Sequence, residues 1–279
     1  MTALGLTLLP DQVTSAALFF SLGSSSAAVF SMSKAGFGSG LGLLAVPLMV
    51  FATGDTVLAT GIMLPMLIVA DYVAMGAWWR RWNVKAVGMT LPGVLLGVGL
   101  GWGAIVATEA AGGGSQQTTE GILKILIGVI ALGFVSLQLI RALRGKPITL
   151  RPGKAQASAA GGIAGFTSTL AHAGGPIAAM YFLPQQMPKQ QYVATTAMFF
   201  WMTNQIKLPV YYFTGRMNVE TLGAGVLLLP AILVGAVLGR YLHNRFGKLQ
   251  FLGIVYGLLA LAGGGLIYKG VDVLLKVST

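Results

Sequence analysis

Apolar runs of about 20 residues recur along almost the whole chain, divided by short polar or glycine-rich stretches. A run of that length crosses a hydrocarbon core of ~30 Å as one helix. The pattern predicts spans at 13–33, 56–79, 86–108, 121–140, 155–172, 191–213, 221–242 and 250–275. Two further apolar pieces, 41–53 and 176–187, are too short, because a dozen helical residues reach only ~18 Å. They read as half-helices or re-entrant segments. The expected fold class is therefore an all-α integral membrane protein with 8–10 membrane segments.

The order of these pieces repeats. Residues 35–108 and 172–246 each run through a glycine-rich break, a short apolar piece, a long span, a loop with Asn-Val and a glycine-laced span. Asn83-Val84 matches Asn218-Val219, Leu91-Pro92 matches Leu229-Pro230, and Gly97 and Gly101 match Gly235 and Gly239. Several coincidences in one order point to an internal duplication. The expected halves are 1–145 and 146–279, within one membrane domain.

Charge adds orientation. Only 9% of the 279 residues are charged, against about a quarter in soluble domains. The net charge of +11 would suggest nucleic acid in a soluble protein, but here the basic residues sit in short loops between spans. Arg80, Arg81 and Lys85 fill one loop, Arg141, Arg144, Lys146, Arg151 and Lys154 a second, and Arg240, Arg245 and Lys248 a third. The stretch 109–120 holds Glu109 and Glu120 without a base, and 214–219 holds only Arg216. With the three basic loops on the cytoplasmic side, the halves run in opposite directions, an inverted repeat of the kind secondary transporters use. The rival count makes the short pieces re-entrant and gives two parallel halves of four spans. No basic residue precedes Lys34, so no cleavable signal is expected.

The two breaks carry the chemistry. The first runs Lys34-Ala35-Gly36-Phe37-Gly38-Ser39-Gly40 and the second Ala171-His172-Ala173-Gly174-Gly175-Pro176. Pro176 suits the first turn of a new helix, where its missing N–H costs nothing. A helix start offers free N–H donors and about half a positive charge, so two starts facing each other make an anion cradle. The alternative is that these glycines serve packing or a turn. Ionisable residues within the spans are few. Asp71 is placed to carry a proton, bind a cation or pair with a base. Asn204 and Lys207 share a helix face at i, i+3, which suits an oxyanion, or else they are a packing amide and a snorkelling lysine. Asp71 and Lys207 fall at nearly equivalent places and are candidate partners. Gly93, Gly97 and Gly101 form a packing face, and such glycine faces serve either internal packing or a homodimer. Without cysteine there is no disulfide or thiolate metal site, and no metalloprotease or phosphate-loop signature is present. No enzyme activity, cofactor or metal is expected.

At the breaks the sequence resembles a known family. Lys34 to Pro47, KAGFGSGLGLLAVP, is similar to the first-half signature of the TauE/SafE sulfite exporters, also called DUF81 or TSUP transporters. His172 to Pro184, HAGGPIAAMYFLP, then Phe199-Phe200, NQIKLP at Asn204 to Pro209, and Arg80-Arg81 extend the likeness over roughly 15–275. Ser39 stands where the family's break often has glycine. The resemblance implies a multi-pass permease of the bacterial inner membrane. It also implies sulfur-containing anions as substrates, namely sulfite, thiosulfate or short sulfonates such as sulfoacetate. A channel, or a carrier of another small organic anion such as a carboxylate, is the alternative. By the same resemblance substrate contact falls to Lys34, Gly36, Phe37, Gly38, Ser39, Gly40, His172, Gly174, Gly175, Asn204 and Lys207. Asp71 is the candidate for proton coupling, needed for import and not for export.

Overall fold

The structure, a computed structural model, describes residues 10, 13, 15–37, 41–110, 115–144, 153–245 and 248–278. Twelve helices follow in chain order among them. The first six are α1 (Ala16–Phe37), α2 (Ala45–Thr53, entered by a 3₁₀ turn at Leu41–Leu44), α3 (Thr56–Ala77), α4 (Val84–Gly88), α5 (Leu91–Ala110) and α6 (Ser115–Arg144). The second six are α7 (Lys154–Ala171), α8 (Gly175–Phe182, closed by a 3₁₀ turn at Leu183–Gln185), α9 (Lys189–Phe213), α10 (Val219–Leu227), α11 (Leu229–Arg245) and α12 (Lys248–Ser278). The second series repeats the first, element for element.

Two expected spans are broken. The segment 86–108 divides into α4 and α5, and 221–242 into α10 and α11, the latter bent by 48°. The cause is written alike in both halves. An asparagine starts the short helix: Asn83 accepts from the Ala86 N–H and Asn218 from the Thr221 N–H. A Leu-Pro pair then opens the longer helix, where the proline lacks a donor it does not need.

The polar and apolar positions are distributed as lipid demands. Leu95, Leu96 and Leu100 of α5 are 52–70% exposed, and their counterparts Leu233, Val234 and Leu238 of α11 are 45–57% exposed. Asp71 and Lys207 meanwhile are fully buried. A soluble protein would show the reverse. Among the described residues α1, α3 and Leu91–Thr108 of α5 are each long and apolar enough to cross a bilayer alone, and the bent pair α10–α11 makes a fourth. The protein is a multi-pass helical membrane protein.

Packing is reciprocal between the halves. α5 lies against α7, α11 lies against α1, α3 meets α9 and α6 meets α12. Glycine permits each close approach. A Cβ on Gly93 or Gly97 would collide with the Ser158 and Gly162 carbonyls of α7. On Gly235 or Gly239 it would collide with the Ala28 and Met32 backbone of α1. Gly128 and Gly263 do the same where α6 crosses α12. These contacts lie within one chain, so they take the packing role that the sequence left open for the α5 and α11 faces.

Candidate functional site

The first helix of each half ends at a break inside the protein, and the third helix of each half passes beside that break. This brings four ionisable residues together in two pairs. Lys34 lies in a widened π turn, Ser33–Phe37, at the end of α1. Its ammonium donates to Asp71 Oδ1 on α3. Asn204 of α9 donates through Nδ2 to the other oxygen, Asp71 Oδ2, at 2.6 Å. The rings of Phe30 and Phe200 flank the Lys34 ammonium, with centroids 4.5 and 5.2 Å away. The carboxylate is thus held from both halves.

The second pair stands at the equivalent place in the other half. His172 ends α7 with a left-handed φ of 50°, and its backbone N–H returns to the Ser168 carbonyl. Lys207 of α9 donates to the Ser168 carbonyl at 3.2 Å, to Ser168 Oγ at 2.9 Å and to His172 Nδ1 at 2.9 Å. His172 Nε2 lies 2.9 Å from the Thr60 carbonyl, which can only accept, so Nε2 carries a proton. Tyr211, one turn beyond Lys207, donates to the Thr169 carbonyl at 2.8 Å and stacks beside His172.

Asp71 and Lys207 are therefore not each other's partners. Each pairs with the break residue of its own half, and Asp71 also accepts from Asn204 of the other. Asn204 and Lys207 do share a face of α9, yet they serve different pairs.

Between the pairs lies a narrow cleft, with room of about 20 Å³ for water-sized groups. Lys34, Ser168, His172, Asn204, Gly42 and Gly175 line it, and Phe30, Leu43, Leu67 and Phe200 supply apolar walls. Gly175 is the first residue of α8, whose start has no side-chain cap, so its opening N–H groups have no partner within the helix. Gly36 and Gly174 are taken up by packing: a Cβ there would strike the Gly239 and Ala164 carbonyls. Phe37 is half-buried at the end of the π turn. Gly38, Ser39 and Gly40 lie outside the described residues. The carbonyls freed where α1 breaks are capped by rings, with Trp78 Nε1 donating to Ala35 O at 2.8 Å and His243 Nδ1 donating to Gly36 O.

Ser168 is the residue that sequence reasoning missed. Its signal was available, since it precedes His172 by four and so shares its helix face. It did not stand out in a span of small residues that carries no charge near it.

No curated protein and no solved structure gives a significant match. The sequence model described as Sulfite exporter TauE/SafE matches residues 24–266, which takes in both breaks, both buried pairs and every helix from α2 to α11. With most of its length matched, the chain belongs to the TauE/SafE family of membrane transporters.

Proposed function

We propose that the protein carries small sulfur-containing anions, such as sulfite, thiosulfate or short organosulfonates, across the bacterial inner membrane by alternating access around this cleft. The observation that carries the reading is a buried cluster with more cationic than anionic groups, Lys34 and Lys207 against Asp71, beside an uncapped helix start. An excess positive charge in a low-dielectric interior is costly unless an anion joins it. Lys34, Asn204, Ser168 and the first N–H groups of α8 are the donors facing the substrate, and His172 holds Lys207 in place. The reciprocal packing of α5 on α7 and α11 on α1 supports two halves that rock against each other as inverted repeats.

An inside-negative potential favours anion export by ~2.3 kcal/mol per charge per 100 mV, so export needs no coupling ion. Import needs one, and Asp71 is the carboxylate placed to carry its proton.

Thermal melts of the purified protein with methanesulfonate, hydrogen sulfite, thiosulfate, sulfate and acetate test the reading. A ligand bound only by the folded state raises the midpoint with its occupancy. A selective rise with sulfur anions, abolished in Lys207→Ala and Ser168→Ala, is expected. A rise with acetate alone, or with no anion at all, would sink the substrate assignment.

A further inference from the structure

The cleft has a polar side and an apolar side, and the register of α1 against α3 sets both. Lys34 of α1 bonds Asp71 of α3. Four residues earlier on each helix, one turn or about 5 Å away, stand Phe30 and Leu67, which line the cleft. Four residues earlier again stand Ser26 and Met63, which line a second chamber with room of about 10 Å³ for water-sized groups. Phe30 and Leu67 are walls of both spaces and form the partition between them. Ala27, Met66 and Ile232 of α11 complete the described lining. Ser26, its polar member, donates its hydroxyl to the Ala45 carbonyl at 2.7 Å. Met63, Met66 and Ile232 are buried, which sets the chamber apart from the lipid-facing surface. Thioethers in such a lining adapt their shape to an occupant.

The donors lie on the other side. Ser168, His172, Asn204 and the uncapped start of α8 border the cleft, and the described lining of the chamber includes none of them. Sulfate exposes oxygen in every direction, and the face it turned to Phe30 and Leu67 would lose water without gaining a hydrogen bond. Sulfite ends at its sulfur, with nothing to reach the chamber. A sulfonate carries one carbon substituent opposite its three oxygens, which suits a site polar on one side and apolar on the other. We propose that the chamber behind Phe30 and Leu67 takes the apolar tail of the substrate, and that short alkanesulfonates, ethane- to butanesulfonate, are bound ahead of inorganic sulfite and of sulfonates with polar tails. The proposal rests on the reading of the cleft as a sulfur-anion site and narrows its substrate class. The head group stays with the donors, and the partition side chains part as the tail enters. About four carbons span the one-turn height between the polar layer and the chamber.

The test uses the whole protein in detergent and measures affinity for methane- to hexanesulfonate, with sulfite, sulfate and isethionate alongside. Affinity should rise about threefold per carbon up to butanesulfonate and level or fall beyond it. Isethionate carries a hydroxyl where propanesulfonate carries its last methyl. It should bind about tenfold more weakly, because the Ser26 hydroxyl is committed and the rest of the described lining is apolar. Ile232→Phe fills the chamber and should erase the gain from ethane- to butanesulfonate while leaving methanesulfonate unchanged. Met63→Ala enlarges it and should move the best length to a longer chain. Partition of the longer sulfonates into the micelle would give the same rise in all three proteins, and that result overturns the proposal. Isethionate equal to propanesulfonate overturns it too. A raised unliganded midpoint in Ile232→Phe with the chain-length gain intact would mark the chamber as a packing void only. Where Ile232→Phe does not fold, an unchanged best length in Met63→Ala overturns the proposal by itself. Sulfite binding with a flat sulfonate series removes the tail chamber and leaves the proposed function standing, whereas failure of every sulfur anion to bind overturns both.

Discussion

Asp71 sets the terms at the scale of single residues. It is fully buried and is held by Lys34 on one oxygen and Asn204 on the other. Removing one partner of such a pair leaves an uncompensated charge and costs about 3–5 kcal/mol, whereas replacing both with apolar groups of similar volume is often neutral. Lys34→Met should therefore lower the unfolding midpoint sharply, and Lys34→Met with Asp71→Leu should recover most of it. Equal losses in the single and double variants, by melting in one detergent, would show that the pair does not act as a unit. The sequence marked Lys34, Asp71 and Lys207 because charge beside or within apolar runs is conspicuous, and Asn204 because it shares a helix face with Lys207. It could not assign partners, since Asp71 and Lys34 are joined through space by the way α1 breaks beside α3.

Among the elements, the glycines of α5 and α11 fall into two kinds that the sequence does not separate. Gly97 and Gly235 face the backbone of a neighbouring helix, whereas Gly99 and Gly103 face open space. Gly97→Leu and Gly235→Leu should each destabilise by about 1–3 kcal/mol or more, because rigid backbone cannot yield to a side chain. Gly99→Ala should be neutral or stabilising by up to about 1 kcal/mol, from helix propensity. Thermal melts of the three variants side by side decide this, and equal losses in all three would refute the distinction. The breaks at Met89–Thr90 and Leu228 show the opposite relation. Asn83, Asn218, Pro92 and Pro230 carried that information in the sequence, but hydropathy alone ran the helices through them, because the short pieces are as apolar as the spans they adjoin.

For the whole molecule, inverted halves put the loops of the two repeats on defined sides of the membrane. The chain contains no cysteine, so single introduced cysteines report cleanly from either side of the membrane. Lys85, Lys154 and Glu220 are exposed in the first turns of α4, α7 and α10, and Arg240 is exposed in the second half of α11. If the halves are inverted, Lys85→Cys, Lys154→Cys and Arg240→Cys should react with an impermeant reagent from one side and Glu220→Cys from the other. Reaction of Lys85→Cys and Arg240→Cys from opposite sides would establish the parallel arrangement instead.

Taken alone, the sequence determined what depends on local order along the chain. Apolar run length required membrane helices, and repeated spacing of Asn-Val, Leu-Pro and glycine exposed the duplication. The break motifs pointed to the family, whose sequence model matches residues 24–266. Tertiary structure decided what depends on distance between runs. It paired Lys34 with Asp71 and Lys207 with His172, turned Asn204 toward the carboxylate and brought Ser168 into the cleft. The physical reason is that a buried charge takes the nearest partner that packing allows, and packing here is set by glycine faces that bring helices far apart in the chain into backbone contact.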